Sequence, residues 1–262
     1  MQGRTSEKWN RTSATSQRTA AWLVALGLVA VLLAACGRPS PQPLTFAPAP
    51  WGEGEISEYR ITDVNGQPAG VARFEIIRIA GQRDSDHWSI RRETLAQGAN
   101  ELVSVEVTEG MRPVTSLLTR TASATQGAER VLATYDRSQV QMELTTSRNV
   151  TTFERASIPS DARDGNLLPV VVRSLPLREG YATRLHSFLP VVGQLETFTV
   201  SVLGVEEVSV PAGIFQAYKV EMSTRNYKTV AWYAQDDANR LVKYIDGRNR
   251  GSFELALFEP GD

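Results

Sequence analysis

From Glu55 onward, apolar and polar residues alternate with a period of two, broken by turn residues at short, regular intervals. Successive side chains of a strand point to opposite faces, so this alternation predicts strands with one buried face. Val103, Val105 and Val107 alternate with Leu102, Ser104, Glu106 and Thr108, and Val140, Met142 and Leu144 with Gln139, Gln141 and Glu143. Phe198, Val200 and Val202 alternate with Thr197, Thr199 and Ser201, and Phe253, Leu255 and Leu257 with Ser252 and Glu254. The pattern predicts strands over Ser57–Asp63, Ala69–Ala80, His87–Ala96, Glu101–Glu109, Val114–Thr121, Val131–Tyr135, Val140–Thr146 and Asn149–Ala156. It resumes over Ala182–Leu189, Leu195–Leu203, Val205–Val210, Phe215–Met222, Thr229–Ala234, Leu241–Asp246 and Ser252–Phe258. Asn65-Gly66 between the first two runs predicts a two-residue type I′ hairpin, whose central residues both need positive φ.

One stretch departs from this period. In Ser160–Pro176, Leu167, Leu168, Val171, Val172 and Leu175 recur at helical spacing. Asp164 or Asn166 suits the start of a helix, Pro169 is tolerated in its first turn, and Pro176 stops it. Many short strands with one helix describe a mainly β fold. It is a large antiparallel sheet curled into a barrel or half-barrel, with the helix covering or plugging its concave face. Leu168, Val171, Val172 and Leu175 are the candidate ligand-facing residues.

The beginning of the chain reads differently. Ala20–Ala35 is an uncharged apolar run of sixteen residues behind Arg4, Lys8, Arg11 and Arg18. A cationic segment followed by a short apolar core predicts a secretory signal peptide, since spanning a bilayer takes roughly 20 apolar residues. Leu33-Ala34-Ala35-Cys36-Gly37 resembles the lipobox of bacterial lipoproteins. The resemblance implies cleavage before Cys36, acylation of its thiol, and an anchor in a membrane with the rest of the chain on the extracytoplasmic side. Residues 1–35 are thus expected to be a signal peptide. Residues 36–50, with five prolines in Arg38–Pro50, are expected to be a lipidated, extended tether, and residues 51–262 a single β domain.

Composition narrows the function classes. Without residues 1–35 the chain has 24 basic and 28 acidic residues, a net charge of −4. That is no footprint for nucleic acid. Cys36 is the only cysteine, so no disulfide stabilises the domain and a sizeable core must do so.

The last third carries a family signature. Val208-Ser209-Val210-Pro211-Ala212-Gly213-Ile214-Phe215-Gln216-Ala217-Tyr218-Lys219-Val220, then Ala231-Trp232-Tyr233-Ala234 and Leu241-Val242-Lys243-Tyr244, resembles an uncharacterised exported bacterial family, domain of unknown function 3108. Gly180-Tyr181 and Glu58-Tyr59-Arg60-Ile61 with Gly70 fit the same resemblance. Val-Pro-Ala-Gly-x-Phe hairpins also occur in envelope proteins similar in shape to the Lol lipoprotein carriers, half-open barrels that receive acyl chains. By that likeness Ser160–Pro176 is the cap or plug of a concavity.

The chemistry-bearing residues form no familiar constellation. His87 and His186 are the only histidines and have no ligand spacing around them. There is no Gly-x-Ser-x-Gly elbow and, after Cys36, no Ser-x-x-Lys motif. Asp161, Asp164 and Asn166 do not match a calcium loop, and Asp236, Asp237 and Asn239 read as a turn. Trp51, Trp88, Trp232 and Tyr233 read as core aromatics before they read as a lipid or sugar site. No metal, cofactor or catalytic residue is expected. The expected role is non-catalytic binding of a hydrophobic ligand, such as a lipid or acyl chain. The alternative is an adaptor that acts on other envelope proteins.

Overall fold

The computed structural model describes residues 40–79, 87–96, 98–121, 128–247 and 251–262. The apolar run and Cys36 lie outside them. Eight strands come first: β1 (Glu55–Thr62), β2 (Pro68–Ile79), β3 (His87–Ala96), β4 (Ala99–Thr108), β5 (Pro113–Thr121), β6 (Ala128–Tyr135), β7 (Gln139–Thr146) and β8 (Thr151–Ser157). A two-residue β9 (Arg163–Asp164) and a short helical run containing α1 (Leu168–Val171) follow. The chain then makes β10 (Ala182–Leu189), β11 (Gln194–Val210), β12 (Gly213–Ser223), β13 (Lys228–Ala234), β14 (Leu241–Ile245) and β15 (Ser252–Glu259).

All fifteen strands belong to one sheet, in the order 8-7-6-5-4-3-2-1-15-14-13-12-11-10-9. Every pairing is antiparallel except β9 on β10. The sheet is thus two meanders joined where β1 pairs with β15. It curls but does not close by hydrogen bonds, because β8 and β9 are its two edges. The edges meet through side chains instead: Ala133, Val140, Met142, Ile158, Ala162 and Phe188 form a separate buried cluster between the two halves. The main core fills the concave side, with Ile76, Ile90, Val103, Val105, Phe198, Val200, Val220 and Leu255 at most 2% exposed.

Hairpin chemistry departs from expectation at Asn65-Gly66. The Gly66 N–H donates to Asp63 O (3.1 Å), and only Gly66 has positive φ (+76°), Asn65 keeping a negative one. The Asp63 carboxylate decides this, accepting from the Asn65 and Gln67 N–H groups at 2.8 and 2.9 Å. A side chain that satisfies the loop's own donors favours a longer turn over the two-residue one. Gly70 is required for space, since a Cβ there would lie 2.1 Å from Leu95 O across the β2–β3 ladder.

Two further differences come from bulges. Leu195–Leu203 and Val205–Val210 are one seventeen-residue strand, β11, in which an extra residue between Val202 and Gly204 bends the ladder. On β15 the register jumps from Leu255 to Leu257 opposite Tyr59 and Glu58, so Leu257 is turned outward, 39% exposed, instead of sharing the face of Leu255. An inserted residue reverses the parity that alternation relies on.

The predicted helix is shorter than its apolar spacing implied. Ser160–Asp164 makes a turn and β9, and helical backbone runs only over Gly165–Ser174, as one α turn between two 3₁₀ turns. Asp164 fixes the start, its carboxylate accepting from the Asn166 N–H at 2.8 Å. Pro169, without a donor, and three successive valines, stiff at χ1, favour only a brief helix. The run does not lie over the concave face; it descends inside it. The Tyr233 hydroxyl donates to Pro169 O (2.8 Å), and Arg173 reaches Glu55 on β1 and Ala238 O in the β13–β14 turn.

Ser40–Pro50 packs along the domain instead of standing off it. The Gln42 N–H donates to Ala182 O (2.7 Å) and the Thr183 hydroxyl to Gln42 O (2.9 Å), a parallel bridge on the start of β10. The Ala47 N–H donates to Ser174 O (2.8 Å), and Leu44 and Phe46 pack on the main core. The prolines do keep this strap extended, but its alternate apolar residues find a surface to cover. The compact unit runs from Ser40 to Asp262. Among the described residues no helix is long and apolar enough to cross a membrane.

Candidate functional site

The curled sheet has two ends of different character. Its lower end carries the β4–β5, β6–β7, β11–β12 and β13–β14 turns together with the strap. It is closed by Trp51 and Trp88, packed edge to face at 6.3 Å, and by Arg173 over the Trp51 ring at 5.3 Å. The upper end carries the β3–β4, β10–β11, β12–β13 and β14–β15 turns. There the two halves of the sheet leave a cavity of about 610 Å³.

The walls follow from strand parity. On the first half, the inward row of β3 runs Ile90, Arg92, Thr94, Ala96; that of β4 runs Val103, Glu101, Ala99; and that of β5 ends Leu118, Arg120. Each row turns from apolar to polar toward the same end. On the second half the wall is mainly aromatic, with Phe198, Tyr227, Tyr244 and Phe253, and also holds Thr229 and Asp246. Leu189, Pro190 and Val191 form one side, and Gly165 to Pro169, the head of the helical run, form the floor through Asn166 and Leu168.

Arg92, Glu101 and Arg120 are linked on the polar wall. An Arg92 Nη donates to Glu101 Oε1 and the Arg120 Nε to Glu101 Oε2, both at 2.6 Å. Burial pushes the Glu101 carboxyl up, but the two guanidinium groups outweigh it and hold the carboxyl below its usual range. Two cations with one anion between them therefore make up the polar wall, and Asp246 lines the opposite one. Below the floor, the Tyr135 hydroxyl donates to Asp164 Oδ2 (2.6 Å), and burial raises the Asp164 carboxyl.

The four residues picked out at helical spacing do not share one surroundings. Leu168 lies on the cavity floor, while Val171, Val172 and Leu175 are packed in the core at 1%, 0% and 1% exposure. Cys36 is outside the described residues. Asp161 pairs with His186 Nδ1 at 3.1 Å, and Asp164 caps the helical run. Tyr233 is fully buried, and Trp232, also buried, belongs to the main core cluster, its indole N–H donating to Glu206. Pattern reading missed Arg92, Glu101 and Arg120. The signal was there: each keeps the parity of the apolar row it continues.

A curled, open-edged β-sheet around a short internal helix, with an amphipathic cavity at its upper end, defines a β-barrel-like fold. The chain belongs to the family described as a protein of unknown function, DUF3108, whose model matches residues 58–252. The family resemblance read from the residues above is therefore correct. Among solved structures, the chain is similar to a β-barrel-like protein of domain of unknown function DUF1849 from Brucella abortus. The likeness has a TM-score of 0.53 at 10% identity and covers 81% of this chain and 99% of that one. It shows the fold. A protein assigned as exported, with a YmcC-like fold, from Bacteroides fragilis aligns at TM-score 0.37 and 11% identity, over 82% and 99% of the two chains. One assigned as a lipoprotein from Parabacteroides distasonis aligns at TM-score 0.34 and 12% identity, over 83% and 100%. No curated protein matches the chain.

Proposed function

We propose that this protein is an extracytoplasmic lipoprotein, anchored through Cys36, whose β domain binds a hydrophobic ligand such as an acyl chain without transforming it. The observation that carries this reading is the 610 Å³ cavity, floored by Leu168 and walled on one side by Phe198, Tyr227, Tyr244 and Phe253. Its volume is within the range of ~300–1,000 Å³ of small-molecule sites, and a mostly apolar lining with a few polar groups is what such sites share. The anchor rests on Leu33-Ala34-Ala35-Cys36, where two or more acyl chains would hold the protein on a membrane.

Native mass spectrometry with solvent extraction, on residues 40–262 purified from an exporting host, tests the binding reading. A bound lipid in the unmodified domain, lost when Ala99→Trp fills the cavity, supports it. A clean apo mass in every preparation contradicts it. The anchor is tested separately, since Cys36→Ala should move the full chain from the membrane fraction to the soluble one.

An adaptor role is the second reading, favoured by one feature. The edge strand β8 pairs only with β7 and is exposed along its length, with Phe153 79% exposed. An unpaired edge is a template for another strand. Co-purification of one envelope protein, abolished by Phe153→Lys, would support it.

A further inference from the structure

The cavity's polar wall carries more positive charge than its own anion neutralises. Both oxygens of Glu101 are taken, one by Arg92 and one by Arg120. Arg120 binds Glu101 through Nε alone, so among the described residues the two terminal nitrogens of its guanidinium make no hydrogen bond, and its side chain is 37% exposed at the cavity. The Arg92 Nε is buried and makes no hydrogen bond among the described residues. Asp246, on the opposite wall, is engaged in an interaction of its own.

Unmet guanidinium donors at the edge of an apolar cavity call for one kind of group. A planar carboxylate matches the fork of an arginine in two parallel hydrogen bonds, and charge-assisted bonds are about twice as strong as neutral ones. The apolar floor and aromatic wall, facing these donors, suit a chain joined to that head.

We propose that the cavity takes a single-chain amphiphile with an anionic head, a long-chain carboxylate being the simplest. The head lies on the free terminal nitrogens of Arg120, with the charge of Arg92 nearby, and the chain lies on Leu168 against Phe198 and Phe253. The inference rests on the cavity-binding reading above and adds the ligand's charge and shape. A cationic head meets two guanidinium groups and is rejected. A neutral head forfeits the ion pairing and the two parallel bonds of a carboxylate.

The test is calorimetric titration of delipidated residues 40–262 with dodecanoate, dodecanol, dodecyltrimethylammonium and acetate, each below its aggregation threshold. Dodecanoate should bind about tenfold more tightly than dodecanol, the smallest gap that one hydrogen bond to a charged group implies. The ammonium amphiphile and acetate should bind at least tenfold more weakly than dodecanoate. Arg120→Gln should narrow the gap between dodecanoate and dodecanol several-fold and leave dodecanol unchanged. Arg120→Lys should keep most of the gap, which separates loss of charge from loss of fold. If dodecanol or the ammonium amphiphile binds as tightly as dodecanoate, or Arg120→Gln leaves the gap intact, the anionic head is wrong and the cavity reading survives. If none of the three chains binds, or Ala99→Trp leaves their binding unchanged, the cavity reading itself fails.

Discussion

Arg173 and Glu55 are joined by two hydrogen bonds, 2.6 and 3.0 Å long, although 118 residues separate them and only 4% and 3% of their side chains are exposed. The pair locks the end of the helical run to the start of β1. The Arg173 Nε and one Nη also donate to Ala238 O, and Asn239 Nδ2 donates to Arg173 O, so the β13–β14 turn is held by the same residue. Arg173 is the lower clamp of the internal helix, and Tyr233 is the upper one.

Removing one partner of a buried pair leaves the other charge unpaired, which costs about 3–5 kcal/mol. Arg173→Met should therefore lower stability by that amount in urea denaturation. The double variant Arg173→Met/Glu55→Leu should lose less than Arg173→Met alone, because no buried charge is stranded. Equal losses in the single and double variants would mean that the carbonyl contacts of Arg173, not the ion pair, hold the helix.

The strap makes a second prediction. Arg163 is 6% exposed, donates only to the carbonyls of Asp161, Ala162 and Gly110, and lies 4.6 Å from the Phe46 ring. Burial pushes its guanidinium down to about 10. Phe46→Ala should cost about 1–2 kcal/mol from lost cation–π contact and apolar burial together. A domain begun at Trp51 should melt below one begun at Ser40. Identical melting would make the strap a bystander.

Acid should weaken the polar wall. Glu101 has its folded-state carboxyl held below the unfolded value of 4.5, so its contribution is present above that pH and is lost as pH falls through the lower folded value. Glu101→Gln should thus be least stable relative to the unmodified domain at neutral pH. The difference should shrink progressively below pH 4.5, as followed by thermal melts across a pH series. A difference that stays constant from pH 7 to pH 3 would contradict the pairing.

Much of the fold follows from the alternation of residues, and the reasons it stops there are physical. Val103, Val105 and Val107 announce their face because burial leaves no choice of register. Leu257 misleads because a bulge of one residue reverses that parity, and nothing local to Ser252–Phe258 marks the insertion. Asn65-Gly66 misleads because Asp63, two residues earlier, supplies a competing acceptor. The strap's Leu44 and Phe46 are too few to declare a surface, and Thr183, the partner of Gln42 in the strap, lies 141 residues further along the chain. The cavity's charged wall was within reach. Extending the inward rows of β3, β4 and β5 by one step names Arg92, Glu101 and Arg120, whereas attention to apolar residues alone names Leu168 and its buried neighbours.

Binding of a chain in the upper cavity is the central claim. The most direct measurement is photo-crosslinking of residues 40–262 with a dodecanoate carrying a terminal diazirine, followed by peptide mapping. The account predicts crosslinks on the peptides that hold Leu168, Phe198 and Phe253, competed away by dodecanoate and absent from Ala99→Trp. Crosslinks confined to the outer face, or to the edge around Phe153 on β8, would contradict it and move the function to the sheet's surface.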